Sequence, residues 1–233
     1  MALDLQEKGF EQLSNAVRYY RWFSDIVAPW VGNRILEVGC GHGNVTINFL
    51  DRAYIHGIDL NVSYLEHIKR RFASHKNFHG YLADITDEAT LKKLSQEKFD
   101  TIIACNVMEH IEDDLKTATD IYSLLQPGGH FIIQVPAFEW LMSPYDKNVG
   151  HYRRYTKKSA QALLSDAGFK IVYARYFNAL GVIAWLWRFK ICRGSDAGEQ
   201  SVKLLELLVP VLKFMERALP VPFGISVICI GEK

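Results

Sequence analysis

Residues 34–44 read Arg-Ile-Leu-Glu-Val-Gly-Cys-Gly-His-Gly-Asn, a short β-type run that ends in three glycines within five positions. Glycine at such a strand end lets the backbone turn sharply toward a helix and approach a bound group without a Cβ in the way. The same alternation continues downstream. Strands are predicted at Tyr54–Asp59, Phe78–Leu82, Asp100–Cys105 and His130–Val135, and helices at 44–51, from Asn61 or Ser63 to about Ser74, at 87–96 and at 112–125. Pro127-Gly128-Gly129 is expected to turn the chain into the last of these strands. Continuous apolar strands alternating with helices imply a parallel sheet covered on both faces, and right-handed crossovers make it doubly wound and Rossmann-like.

The flanks complete the expected architecture. Residues 4–28 read as a helix with Trp22, Phe23, Ile26 and Val27 on one stripe, within an N-terminal helical cap over 1–30. Thr156–Ala167 reads as a helix stopped by Gly168, Phe169–Tyr176 as a sixth strand and Ile225–Ile230 as a seventh. Between the last two lies an apolar insertion, 178–222, with Trp185, Trp187, Phe189 and the run KLLELLVPVLKFMERALP, expected to form two helices and a substrate lid. The fold class expected is α/β, a seven-stranded, mostly parallel sheet with an antiparallel last strand and a helical insertion before it, as one domain over 1–233.

Composition removes several classes of function. The 27 basic and 26 acidic side chains nearly cancel, so no global charge favours nucleic acid or an anionic membrane. Cys40, Cys105, Cys192 and Cys229 form no CxxC pair, which points to free thiols in a reducing cytoplasm rather than a disulfide framework or a zinc site. The N-terminal residues lack the apolar stretch of a signal peptide. The apolar stretch Phe177–Trp187 is far short of the roughly 20 residues that span a bilayer. Peripheral membrane contact stays open, as does the oligomeric state.

Two nucleotide-binding readings compete at the glycine loop. Asp59, at the end of the second strand, stands where a carboxylate can accept from ribose hydroxyls, as in a dinucleotide fold. A GxGxxG pattern begun at Gly39 would need a small residue at Asn44, whereas the glycines read GxGxG preceded by Glu37. Asp59 and Asp84 each have a plainer reading as caps of the helices that follow them.

The stretches ILEVGCGHGN, YIHGIDLN, YLADITD, FDTIIACNVMEHIED and LLQPGGHFIIQVP stand in the order and spacing of the class I S-adenosylmethionine-dependent methyltransferases, which this chain resembles over roughly residues 18–136. The resemblance implies S-adenosylmethionine as cofactor and S-adenosylhomocysteine as product. It implies that Glu37, Gly39, Cys40, Gly41 and Gly43 shape the methionine end of the site. Asp59 would hold the ribose, Leu60 and Ile85 would flank the adenine and Asp84 would accept from its amino group. Asn106 would lie near the sulfonium, and Tyr19 or Tyr20 would reach the carboxylate.

Acceptor chemistry is less legible. Methyl transfer needs an aligned nucleophile, exclusion of water and, for a hydroxyl, removal of a proton. Ligands in open α/β sheets lie beyond the carboxyl ends of the strands, which brings forward Met108-Glu109-His110 and the segment Tyr145–Tyr155. His151 and His110 are the catalytic candidates; Tyr145, Arg153, Arg154 and Tyr155 are the substrate-side candidates. The expected acceptor is a small molecule or a glycan- or lipid-linked one, with oxygen slightly favoured by the histidine-bearing loop and the lack of an aromatic-amine or nucleic-acid signature; Asn106-Val-Met-Glu in place of an NPPY-type tetrapeptide argues against base or glutamine methylation. A non-catalytic cofactor-binding scaffold and a nicotinamide-dependent oxidoreductase are the alternatives, and no metal is expected.

Overall fold

The strands are apolar on both faces because both faces are covered. A computed structural model describes residues 16–187, 199–218 and 221–233 and contains a seven-stranded sheet in the order β3-β2-β1-β4-β5-β7-β6. The strands are β1 (Arg34–Val38), β2 (Tyr54–Asp59), β3 (Phe78–Leu82), β4 (Phe99–Cys105), β5 (Leu125–Pro136), β6 (Lys170–Phe177) and β7 (Ser226–Glu232). The β1–β5 pairings are parallel, and β7 runs antiparallel to both β5 and β6. Leu36, Val38, Ile102, Ala104, Phe131 and Ile133 face one core layer, while Ile35, Ile55, Ile103, Ile132 and Ile228 face the other.

Helices close both layers: α1 (Val17–Val27), α2 (Val62–Arg71), α3 (Glu88–Leu94), α4 (Asp114–Leu124), α5 (Pro144–Asn148), α6 (Lys157–Asp166), α7 (Ala179–Trp185) and α8 (Glu199–Ala218). Ala118, Ile121, Ala160 and Leu164 of α4 and α6 cover one face; Trp22, Phe23 and Val27 of α1, with Val209 and Leu212 of α8, cover the other. Register then positions the site. Val38 pairs with Ile58 on one side and Ala104 on the other, so Gly39, Asp59 and Cys105 leave the sheet at one level.

Two local expectations change. The helix expected over 44–51 is a single 3-10 turn, Thr46–Phe49, consistent with the β-branched Val45, Thr46 and Ile47, whose stiff side chains favour helices poorly. Pro127-Gly128-Gly129 does not precede β5 but sits inside it, where the pairing with β4 shifts register and Gly128 takes a φ of 75°. The chain end secures this segment, with the Gly128 amide donating to the Lys233 carbonyl and the Lys233 amide to Gly129.

The insertion is tied down through helix ends. Residue Ala16 gives α1 no side-chain cap; instead Glu206 of α8 accepts from the amides of Arg18 at 2.8 Å and Tyr19 at 2.9 Å. Glu216, also on α8, accepts from the Ala179 amide at the start of α7 and pairs with Arg175 at 2.8 Å. Carboxylates there satisfy orphan amides and complement the positive helix end. The outer side of α8 exposes Leu204, Leu207, Val211, Phe214 and Met215. Among the described residues, no helix is long and apolar enough to cross a membrane, and Cys40, Cys105 and Cys229 are free thiols. Residues 4–15 of the expected first helix, Phe189 and Cys192 lie outside the described residues.

Candidate active site

Beyond the carboxyl ends of β1, β2 and β4 lie two adjoining cavities of about 890 and 180 Å³, whose walls share Gly39, Cys105, Asn106 and His110. Gly39, Gly41 and Gly43 all take left-handed backbone, with φ of 69°, 48° and 78°. At Gly43 a Cβ would come within 2.6 Å of the Phe72 ring, so packing alone demands glycine there. At Gly41 a Cβ would meet nothing within 4 Å, although φ is positive; this backbone borders open space in the smaller cavity.

Asp59 locks the loop and still faces the larger cavity. Its Oδ2 accepts from the Gly41 amide at 2.8 Å and its Oδ1 from the Asn61 amide at 2.9 Å, which leaves each oxygen a further lone pair. It does not cap α2, whose cap is Asn61, accepting from the Ser63 and Tyr64 amides. Asp84 likewise does not cap α3, a role taken by Asp87; its Oδ1 accepts from the amide and hydroxyl of Thr86. Leu60 is 70% exposed at the mouth of the larger cavity, and Ile85 is buried in its wall. Asn106 holds a left-handed φ of 55°, with its amide on the Gln134 carbonyl at 2.8 Å, and borders both cavities.

Glu37, Cys40 and Tyr20 line the smaller cavity. Burial pushes the Glu37 carboxyl up to about 8, although the Thr46 hydroxyl donates to it and favours its charged form. Cys40 is buried under the loop. Tyr19 does not line either cavity: its hydroxyl accepts from Gln134 Nε2 at 3.0 Å and its ring packs on Phe177. Consecutive residues point about 100° apart on a helix, so only one of the pair can face the site.

The acceptor-side wall is a charge cluster centred on Asp146, which the sequence reading had not singled out. It lies on α5, a short helix opened by Ser143 in a capping box with Asp146 itself. Asp146 Oδ2 accepts from the Ser143 amide and hydroxyl. Its Oδ1 faces His151 Nδ1 at 2.9 Å and accepts from Arg154 Nε at 3.0 Å and Nη2 at 2.7 Å. Burial alone would raise the Asp146 carboxyl, but hydrogen bonds from His151 and Ser143 and the Arg154 charge hold it down at about 2. Trp185 of α7 lies in the same wall, with the Arg154 guanidinium 4.5 Å from its ring centroid and its own indole N–H on the Leu141 carbonyl.

His110 and His151 meet edge to face at 4.6 Å between ring centroids. Burial, reinforced by His151, pushes His110 down to about 4, so it is neutral near pH 7. Glu109, also absent from the sequence-derived candidates, is fully buried in the wall, and neither carboxylate oxygen has a hydrogen-bond partner among the described residues. Burial pushes it up to about 8, with nearby Asp146 adding to the effect.

Three substrate-side expectations need correction. Arg153 points away from both cavities, pairing with Asp114 and donating to the Glu112 carbonyl. Tyr155 is buried in the core, its hydroxyl donating to Asp114 Oδ2 at 2.7 Å, with Met108 O 3.2 Å away. Arg154 does line the smaller cavity, but its charge is spent on Asp146, so this wall offers no free guanidinium to an anionic acceptor. Tyr145 keeps its expected place, edge-on to Trp185 at 5.9 Å.

With this geometry in place, comparison with known proteins is informative. A family model described as a methyltransferase domain matches residues 10–174. The chain is 27% identical over 143 residues to a Mycolicibacterium smegmatis protein named as a probable S-adenosylmethionine-dependent methyltransferase, covering 60% of this chain and 53% of that one. It is 23% identical over 185 residues to the ubiquinone biosynthesis O-methyltransferase of Acinetobacter baylyi, covering 71% and 76%. The chain spans about half or far less of the first curated relatives it matches, 53% of the Mycolicibacterium smegmatis protein and 5% of a Penicillium soppii polyketide synthase. Among solved structures, the S-adenosylmethionine-dependent methyltransferase of Mesorhizobium loti shares the fold at a TM-score of 0.59 and 16% identity, covering 91% of this chain and 96% of that one.

Proposed function

The chain belongs to the class I S-adenosylmethionine-dependent methyltransferases, and we propose that within this family it methylates a hydroxyl oxygen of a small-molecule or glycan- or lipid-linked acceptor. The Asp146–His151 pair in the wall of the smaller cavity, beside the glycine loop, carries this reading.

The residues present fit the cofactor. Gly41 offers Cβ-free backbone beside open space, and Asp59 and Asp84 keep unused acceptor capacity toward the larger cavity. In this reading Glu37 and the loop hold the methionine end, with Tyr20 near its carboxylate. Asp59 takes the ribose hydroxyls, Asp84 the adenine amino group, Leu60 and Ile85 the ring faces, and Asn106 lies near the sulfonium. S-adenosylmethionine, when bound, supplies a methyl group on positively charged sulfur.

This chain's own residues supply the proton chemistry. Asp146 is ionised across the physiological range and accepts at His151 Nδ1, so the proton of neutral His151 sits on Nδ1 and the lone pair on Nε2. That nitrogen can take a hydroxyl proton, and Asp146 stabilises the imidazolium that results. A neutral amine would need no base, so the pair favours oxygen. Trp185, Tyr145, Val149 and Ile225 give the cavity an apolar portion beside its charged groups. Trp185 belongs to the 178–222 segment, which supports that segment as a wall or lid over the acceptor.

Isothermal titration with S-adenosylmethionine, S-adenosylhomocysteine and NAD, each alone, tests the cofactor assignment. Binding of the two sulfur nucleotides without NAD is expected. Incubation with hydroxylated glycans, polyols and phenols should then yield a product one methylene heavier, with the methyl group on oxygen by NMR. Cofactor binding with no methylated product from any acceptor would favour a scaffold.

A further inference from the structure

We infer that Glu109, His110 and His151 form a divalent-cation site in the wall of the smaller cavity. One ligand atom from each lies within 4.8 Å of the others, and His151 Nε2 stands 4.0 Å from Glu109 Oε1. Ligands of an ion at ~2.1 Å stand about 3.0 Å apart when adjacent and about 4.2 Å when opposite in an octahedron, so side-chain shifts on the order of an ångström bring the three groups to coordination distance.

Two independent features point to an ion rather than a chance cluster. The first is Glu109, which is fully buried with both oxygens unbonded among the described residues. A carboxylate buried without a partner is costly, and the neighbouring Arg154 is already committed to Asp146. A cation between Glu109 and the two imidazoles removes that cost. The second is the arrangement behind His151. Its Nδ1 faces the Asp146 carboxylate at 2.9 Å and its Nε2 faces Glu109, the carboxylate–histidine order that orients metal-bound imidazoles. The His110 ring packs edge to face on His151, at 4.6 Å between centroids.

Two imidazoles and one carboxylate suit Mn²⁺, Co²⁺ or Zn²⁺ and leave coordination positions open toward the cavity. Resting on the O-methylation reading above, one of those positions takes the acceptor's hydroxyl oxygen and acidifies it. The hydroxyl proton passes to solvent, the oxygen lone pair forms the new bond to the methyl carbon, and the electrons of the broken C–S bond stay on sulfur. His151 then serves as a ligand, and the cation replaces it as the agent of deprotonation.

Titrating the chelator-treated chain with Mn²⁺ by electron paramagnetic resonance, and with Zn²⁺ by calorimetry, without cofactor or acceptor, tests the site directly. One saturable site is expected, weakened at least tenfold in Glu109→Gln and in His151→Gln, and about 10–100-fold in Asp146→Asn. S-adenosylhomocysteine affinity of the same metal-free variants, expected within about twofold of the parent, shows that each is folded. No saturable binding, or binding unchanged in Glu109→Gln with the fold intact, overturns the site. Metal binding that depends on Glu109, together with products methylated only on nitrogen or carbon, upholds the site and overturns the oxygen reading. Full hydroxyl methylation by metal-free enzyme that binds no cation does the reverse.

Discussion

The larger cavity is walled by glycine backbone, a left-handed asparagine and short carboxylates that keep lone pairs to spare. The smaller is walled largely by longer side chains, several already bound to one another. The first wall is preorganised by conformation: Gly39 and Asn106 hold left-handed backbone there, and Asp59 is fixed by the Gly41 and Asn61 amides. The second is preorganised by charge: Asp146 joins Ser143, His151 and Arg154 in a site sealed by Trp185. Damage to the first should therefore appear as lost affinity, and damage to the Asp146 cluster of the second as lost turnover or lost stability.

The sharpest separation comes from His151→Ala. Removing a general base or a metal ligand should lower turnover by about 10²–10⁴-fold while S-adenosylhomocysteine affinity stays within about twofold. Comparable losses in both, measured by single-turnover kinetics and calorimetry, would show that the cavities do not act separately. Asp146→Ala should act mainly on stability, because it strands the buried Arg154. A cost of about 3–5 kcal/mol, at about 2–4 °C per kcal/mol for a chain of this size, lowers Tm by about 6–20 °C in calorimetric scans. An unchanged Tm would mean that Arg154 finds another partner.

On the other side, if Asp59 takes the ribose hydroxyls as proposed, Asp59→Ala removes two charge-assisted contacts, each worth about 1.5–3 kcal/mol. Affinity for S-adenosylhomocysteine should fall by about 10²–10⁴-fold with the circular dichroism spectrum unchanged, and affinity kept intact would remove Asp59 from the cofactor site.

The smallest expected effect concerns Glu37. Its folded-state carboxyl lies near 8, above its ordinary value near 4.5, so between those two values the unfolded chain has released a proton that the folded chain retains. Stability from this group is present below about 4.5 and falls as pH rises toward 8. Glu37→Gln should flatten the fall of Tm between pH 5 and pH 8. A slope unchanged from the parent would place the titration elsewhere.

The contrast also explains what could be read before the fold was known. Parallel strands buried on both faces leave unbroken apolar runs, so β1–β4 are visible in sequence to within a residue or so. Gly39–Gly43, Asp59 and Asp84 each follow directly from the end of a strand, so the cofactor-side wall is written in local order. The acceptor-side wall is not. Asp146 gains its meaning only when His151 and Arg154 fold back onto it, and Glu109 only when β4 and the loop after β5 meet. Tyr19 and Tyr20 were indistinguishable because the rotation of α1 about its axis, set by packing on Phe177 and Gln134, decides between them. The shifted register within β5 is a further case where tertiary pairing overrides a local pattern.

The strands β6 and β7 are antiparallel neighbours that a short turn could join, so the sheet itself does not depend on what connects them. That would make the connecting segment freely exchangeable, like an interchangeable tool head, were it not for Glu206. This side chain holds the first turn of α1, and α1 carries Tyr20 into the smaller cavity. If the insertion walls the acceptor site and Tyr20 reaches the cofactor, as proposed above, a new acceptor preference acquired by rewriting the insertion is geared mechanically to cofactor affinity. Variants that drift in one should drift in the other unless a carboxylate is kept at position 206.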